Sequence, residues 1–205
     1  VFIPKNFFKG YNNGGEVVSM GVELNILSKL MTHLSDEDEL IFTLNNDKLD
    51  ISFIHPRYKK FYAIKLLNID YDELDIHELE NPVVLQIESR HFNDVISHFN
   101  DIGETLEIQL RNKDDDMITF KSKGSMTELN IVLEPCDIII QNLLNINVEF
   151  NIKNLQNFTK GYLINKNMEM KITENYPLKL SYKILDEGHV SYYIAPKISE
   201  DNDDY

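Results

Sequence analysis

Chemistry in this chain would have to come from its histidines, carboxylates and lysines. Its one cysteine, Cys136, can form neither an internal disulfide nor a cysteine-based zinc site, which suits a reducing compartment. His91, Asp94 and His98 fall at i, i+3 and i+7, a spacing that could bring three metal ligands to one helix face. The further ligands that normally back such a spacing are not found, and exposed polar positions of an amphipathic helix account for the same pattern. Asp70-x-Asp72 begins like a calcium loop, but Leu74 stands at the next oxygen position and Asp75 where the turn requires glycine. Asp114 to Asp116 read as a hairpin turn after Lys113. No phosphate-cradling glycine loop or nucleophile elbow occurs. Catalytic residues, a metal site and cofactors are therefore not expected.

Composition sets wider bounds. The 205 residues, 42% hydrophobic and 26% charged, suffice for one large or two small soluble domains. A net charge of -14 argues against a protein that simply coats nucleic acid, where affinity comes from Lys and Arg neutralising phosphates. No apolar run approaches the roughly 20 residues that span a bilayer, so no membrane partner is expected.

The elements that would position these side chains repeat along the chain. Leu24, Leu27 and Met31 fall at i, i+3 and i+7, the buried stripe of an amphipathic helix. Phe92, Val95 and Phe99 repeat the stripe 68 residues on, and Leu155, Phe158 and Tyr162 repeat it again after a further 63, each offset holding for all three residues of the triplet. Alternating β-rich runs bounded by Asn, Asp, Pro or Gly follow each helix. Their register repeats too: Leu49, Ile51 and Phe53 precede Leu180, Tyr182 and Ile184 by the same offset that separates the first stripe from the third, while the middle unit is slipped by one. VVLQIES adds a strand before the second helix. Each unit is one helix on antiparallel sheet, which predicts an α+β fold.

Between the first unit and the other two lies an acidic strip, Leu66 to Pro82, whose Leu and Ile residues fit neither a helix nor a strand. An extended connector laid over a domain satisfies both its charges and its apolar side chains. The expected organisation is residues 1–66 as half of a first domain, 67–82 as connector, and 83–205 as a complete second domain with a short acidic tail. By symmetry, a further unit of roughly 50 to 60 residues is expected before Val1.

The C-terminal words sharpen this reading. Tyr182-Lys183-Ile184, Gly188-His189 and Tyr192-Tyr193-Ile194-Ala195-Pro196-Lys197-Ile198 followed by acids resemble the closing segment of the eukaryotic-type DNA sliding clamps, the proliferating cell nuclear antigen family. Lys65 through Val84 resembles that family's interdomain connecting loop, and Met20-Gly21-Val22 with Ser28-Lys29 its second helix. The resemblance implies a ring, usually a homotrimer, with helices lining a hole around double-stranded DNA. It also implies loading by an ATP-driven clamp loader, and tethering of DNA polymerase and other proteins through short peptides, in the nucleus or at a cytoplasmic replication site of a virus.

Residue by residue, the resemblance implies DNA-facing cations at Lys29, Arg90, Lys153 and Lys160, held by phosphate contact without base reading. Asp94 and Ser97 stand where the family usually has basic residues, so a weakly basic channel is expected. Leu74 and Ile76 with Pro177, Tyr193, Ile194, Ala195 and Pro196 would form an apolar pocket for partner peptides, rimmed by acids. Phe61 and Tyr62 on one strand, and Asn130 and Val132 on another, would meet edge to edge between subunits. Two alternatives stay open: a monomeric processivity factor or checkpoint-type clamp subunit, separable by mass in solution, and a metal-dependent enzyme, separable by metal analysis.

Overall fold

The computed structural model describes residues 1–68, 82–111, 117–133, 138–142 and 145–197. These divide into two compact units, one of Val1–Lys9 with His77–Tyr205 (unit 1) and one of Gly10–Ile76 (unit 2).

Unit 2 is one helix on one meander. α1 (Leu24–Met31) is capped by the Glu23 side chain, which accepts from the N–H of Asn25 at 3.2 Å. β1 (Glu39–Asn45), β2 (Lys48–Ile54) and β3 (Lys59–Lys65) follow as an antiparallel sheet in that order. Leu49, Ile51, Phe53 and Ile64 form its core, with Val22, Leu27, Leu30 and Met31 packed against them. The stripe expected on α1 is shifted: Leu24 is 73% exposed, and Leu30 takes its place beside Leu27 and Met31. A short helix beginning at Leu24 turns its first residue away from a sheet that its later turns meet.

Unit 1 contains both remaining repeats. β4 (Val83–Glu88) leads into α2 (Ser89–Ser97), followed by β5 (Thr105–Arg111), β6 (Met117–Lys123), β7 (Glu128–Leu133) and β8 (Ile138–Gln141). β9 (Ile146–Asn151) then leads into α3 (Ile152–Thr159) and a short 3-10 turn, followed by β10 (Asn167–Ile172), β11 (Leu178–Ile184) and β12 (Gly188–Ile194). The strand before each helix pairs with the meander of the other repeat. β4 lies against β10 in the order β12-β11-β10-β4-β8, and β9 against β5 in the order β7-β6-β5-β9. This exchange joins the halves, and both sheets and both helices share one continuous core.

The repeat predicted from spacing is visible in burial. Leu49, Ile51 and Phe53 are buried on β2, as are Leu180 and Tyr182 on β11, the middle strand of the matching meander. On β6 the buried positions are Ile118, Phe120 and Ser122, the slip of one position expected for the middle unit. Val1–Lys9 departs from the expected division: it packs in unit 1, because Phe2 and His189 of β12 exchange backbone hydrogen bonds of 2.7 and 2.9 Å.

Candidate functional site

The helix pair of unit 1 carries three of the four expected cations. The offset that relates the stripes of α2 and α3 superposes Ser89, Phe92 and Ile96 on Ile152, Leu155 and Thr159, and all six are buried. The helices run antiparallel: Thr159 Oγ1 donates to Asn93 Oδ1 at 2.9 Å, and the Gln156 amide hydrogen-bonds Asn100. The same offset pairs Arg90 with Lys153, both exposed at the second position of their helices.

That position matters electrostatically. Cations in a helix's first turn oppose its macrodipole, at a cost of about 0.3–1 kcal/mol, so helix stability does not explain Arg90 and Lys153. Lys29 in the last turn of α1 and Lys160 at the C-cap of α3 sit instead at the favourable end, where helix stability alone accounts for them. On α2 the charge of Arg90 is offset by exposed Asp94, whereas α3 carries no acid beside Lys153. Lys29 lies in unit 2 and is exposed there.

His91, Asp94 and His98 are exposed on and just after α2. Among the described residues, no three His, Cys, Asp or Glu side chains gather as metal ligands, and no helix is long and apolar enough to cross a membrane.

The expected partner pocket is described in part. Leu74 and Ile76 lie outside the described residues. Tyr193 and Ala195 are exposed, and Pro177 and Pro196 half-buried, at the end of the β11–β12 hairpin. The Lys179 ammonium lies 5.6 Å from the centre of the Tyr193 ring. Ile194 points the other way and is buried in the core, because strand alternation puts it opposite Leu178 on the inner face. It therefore offers no surface here.

Two strand edges carry the remaining residues. Leu66 N–H to Asp47 O and His55 N–H to Tyr58 O turn the even-numbered backbone groups of β3 toward β2. Lys59, Phe61, Ala63 and Lys65 therefore face outward, and the Phe61 side chain is 71% exposed. Tyr62 is half-buried on the core side, tilted against Phe53 with ring centres 5.3 Å apart, and its hydroxyl lies 3.2 Å from His33 Nδ1. On β7, Gly124 N–H to Thr127 O sets the opposite parity, so Glu128, Asn130 and Val132 face outward. Neither edge is paired with another strand of the chain among the described residues.

Two helix-on-sheet halves exchanging strands around one core, with paired cations on the helices and open sheet edges, define an α+β clamp fold. The family model for the C-terminal domain of proliferating cell nuclear antigen matches residues 75–197, which is more than half of the chain. The chain belongs to the proliferating cell nuclear antigen family, a family of DNA sliding clamps.

Proposed function

We propose that the chain is a subunit of a DNA sliding clamp that closes with further copies, as a homotrimer, into a ring around duplex DNA. Arg90 and Lys153, with Lys29 and Lys160, contact phosphates inside the ring. The ring is loaded by an ATP-driven loader at a site of DNA replication, nuclear in a eukaryotic cell or cytoplasmic for some viruses. Peptides of DNA polymerase and other partners dock on the surface of Pro177, Tyr193, Ala195 and Pro196.

One observation carries the assembly. His189 of β12 exchanges two backbone hydrogen bonds with an incoming strand at Phe2. The repeat that equates Ser52 with Lys183 equates their partners, Phe61 on β3 and His189 on β12. Phe61 presents the same backbone groups outward with no strand opposite among the described residues, and β7, with Asn130 and Val132, is an edge of matching kind. Pairing β3 of one copy with β7 of the next covers both edges and leaves each copy an edge for a further neighbour, a head-to-tail contact that closes into a ring.

Ala63→Pro tests this. The Ala63 N–H faces away from β2, so proline removes a donor only from the outer edge. The parent is expected to run as a multiple of 24.0 kDa in native mass spectrometry and the variant as a folded single chain. A parent that is itself a single chain at micromolar concentration overturns the ring.

A further inference from the structure

The two sheets of unit 1 match under the internal repeat except along one edge. The outer edge of β4 carries β8, the segment following β7, with Gln86 opposite Ile139 in antiparallel register. β9 is the counterpart of β4, and Glu149 that of Gln86. There, Lys197, just past β12, donates its N–H to Glu149 O at 2.7 Å, the first contact of an equivalent strand. Unit 2 repeats the arrangement: Leu67, just past β3, forms an antiparallel bridge with Gly21 ahead of α1.

Along an antiparallel strand, alternate residues turn both backbone groups to the same side. With Glu149 facing outward, Asn147 faces outward too. A cavity of about 350 Å³ opens at this end of the edge, lined by Gln109, Arg111, Asn145, Asn147 and Glu174. Arg111 donates to the neutral Gln109 Oε1 at 3.3 Å, and Glu174 is the opposing charge in the lining.

We propose that the outer edge of β9 is a strand-addition site, and that its occupant is the chain's own acidic tail, residues 198–205, which lie outside the described residues. Continuing antiparallel from Lys197 opposite Glu149 brings Ser199 opposite Asn147, where the two exchange hydrogen bonds. At about 3.4 Å per residue, Glu200 and Asp201 then reach the cavity and the Arg111 guanidinium. The tail makes the four-stranded sheet five-stranded, as β8 does its twin. It also closes an edge otherwise open to foreign strands, and ties Ala195 and Pro196 down between β12 and β9.

Residue-resolved amide hydrogen exchange on the full chain and on a variant ending at Lys197 tests the proposal. Asn147 is expected to exchange about fivefold to tenfold faster without the tail, while Val148, whose N–H faces β5, is unchanged and reports an intact sheet. Ser199→Pro in the full chain is expected to reproduce the loss at Asn147, which separates strand pairing from any effect of truncation on folding. Arg111→Glu is expected to speed Asn147 exchange in the full chain only. Equal exchange at Asn147 with and without the tail overturns the proposal, as does a Ser199→Pro chain that protects Asn147 like the parent. An Arg111→Glu effect of equal size in the truncated chain overturns the role of the tail's charge.

Discussion

The β1–β3 meander of unit 2 and the β10–β12 meander of unit 1 share one pattern, yet their inner faces meet different surroundings. Phe42 pairs with Ile51 as Met168 pairs with Tyr182, and Leu44 with Leu49 as Met170 with Leu180. Met168 and Met170 are 2% and 0% exposed, whereas Phe42 and Leu44 are 44% and 40% exposed. β10 has a second neighbour in β4 and lies within the core that α2 and α3 complete; β1 is paired only with β2 among the described residues. Alternation thus decides which face is apolar, while burial depends on what lies over it.

The comparison breaks most sharply at these positions. Met168→Ala is expected to cost about 2–5 kcal/mol, because it opens a cavity that its neighbours cannot fill. Phe42→Ala, although it removes the larger side chain, is expected to cost about 1 kcal/mol, since half its surface is already in water. Urea unfolding followed in each unit measures both. A Phe42 effect as large as that of Met168 would mean that its face is covered in solution.

A second difference lies where helix meets meander. The offset that equates Tyr182 with Ile51 also equates Gly161 with Leu30, so one repeat pairs a large strand residue with no side chain and the other pairs two medium-sized side chains. A Cβ at Gly161 would crowd into the Tyr182 ring, which is fixed by its hydroxyl donating to Phe158 O at 3.0 Å. Burial, with Tyr192 beside it, raises the Tyr182 pKa, so the hydroxyl stays protonated and able to donate. Gly161→Ala is expected to cost about 1–3 kcal/mol by overpacking. Tyr182→Ile should relieve part of that cost in the double variant, and strict additivity in unfolding free energy would refute the size matching.

Much of this was legible in the sequence, for a physical reason. The meanders alternate and the helices carry stripes, so Leu49, Ile51 and Phe53 announce a buried face and a repeat. Strand exchange was not legible, because β9 pairs with β5 across the whole β6–β8 stretch, and alternation names a strand without naming its partner. Ile146, Val148 and Phe150 do alternate, and Val83, Leu85 and Ile87 stand one repeat before them, a signal that could have identified β9. The same arithmetic would have paired Arg90 with Lys153, which spacing from Lys29 alone did not reveal. Ile194 could be placed on the inner face only once its opposition to Leu178 was known.

The turn joining helix to sheet in unit 2 offers a pH test. Asp38 accepts from the Ser35 N–H at 3.0 Å and from Lys60 Nζ at 3.3 Å. The Ser35 N–H foremost, then Lys60, holds its carboxyl below the ordinary value of 3.8, against the opposing effect of burial. The unfolded chain therefore binds the proton first. Asp38 stabilises unit 2 fully above pH 3.8, and the contribution fades as pH falls below it. Asp38→Asn is expected to lower stability at pH 6, with the gap from the parent closing toward pH 3. A gap that widened on acidification would reverse the sign and refute the account.

The smallest effect expected is a gain. Leu185, in the β11–β12 turn, holds φ at 50°, and the other non-glycine residues described with positive φ are Asn46, Asn142 and Asn175. Asparagine tolerates this left-handed conformation through local hydrogen bonding, while a leucine Cβ crowds the following carbonyl at a cost of about 1–2 kcal/mol. The Leu185 side chain is exposed and recovers little of that by burial. Leu185→Asn is expected to stabilise unit 1 by about 0.5–1 kcal/mol, read as a higher urea midpoint at unchanged slope. The β2–β3 turn of unit 2, His55 to Tyr58, has no residue of positive φ, so the gain has no equivalent there. If Leu185→Asn instead destabilised the chain, the exposed leucine would have to rest against an apolar surface in solution.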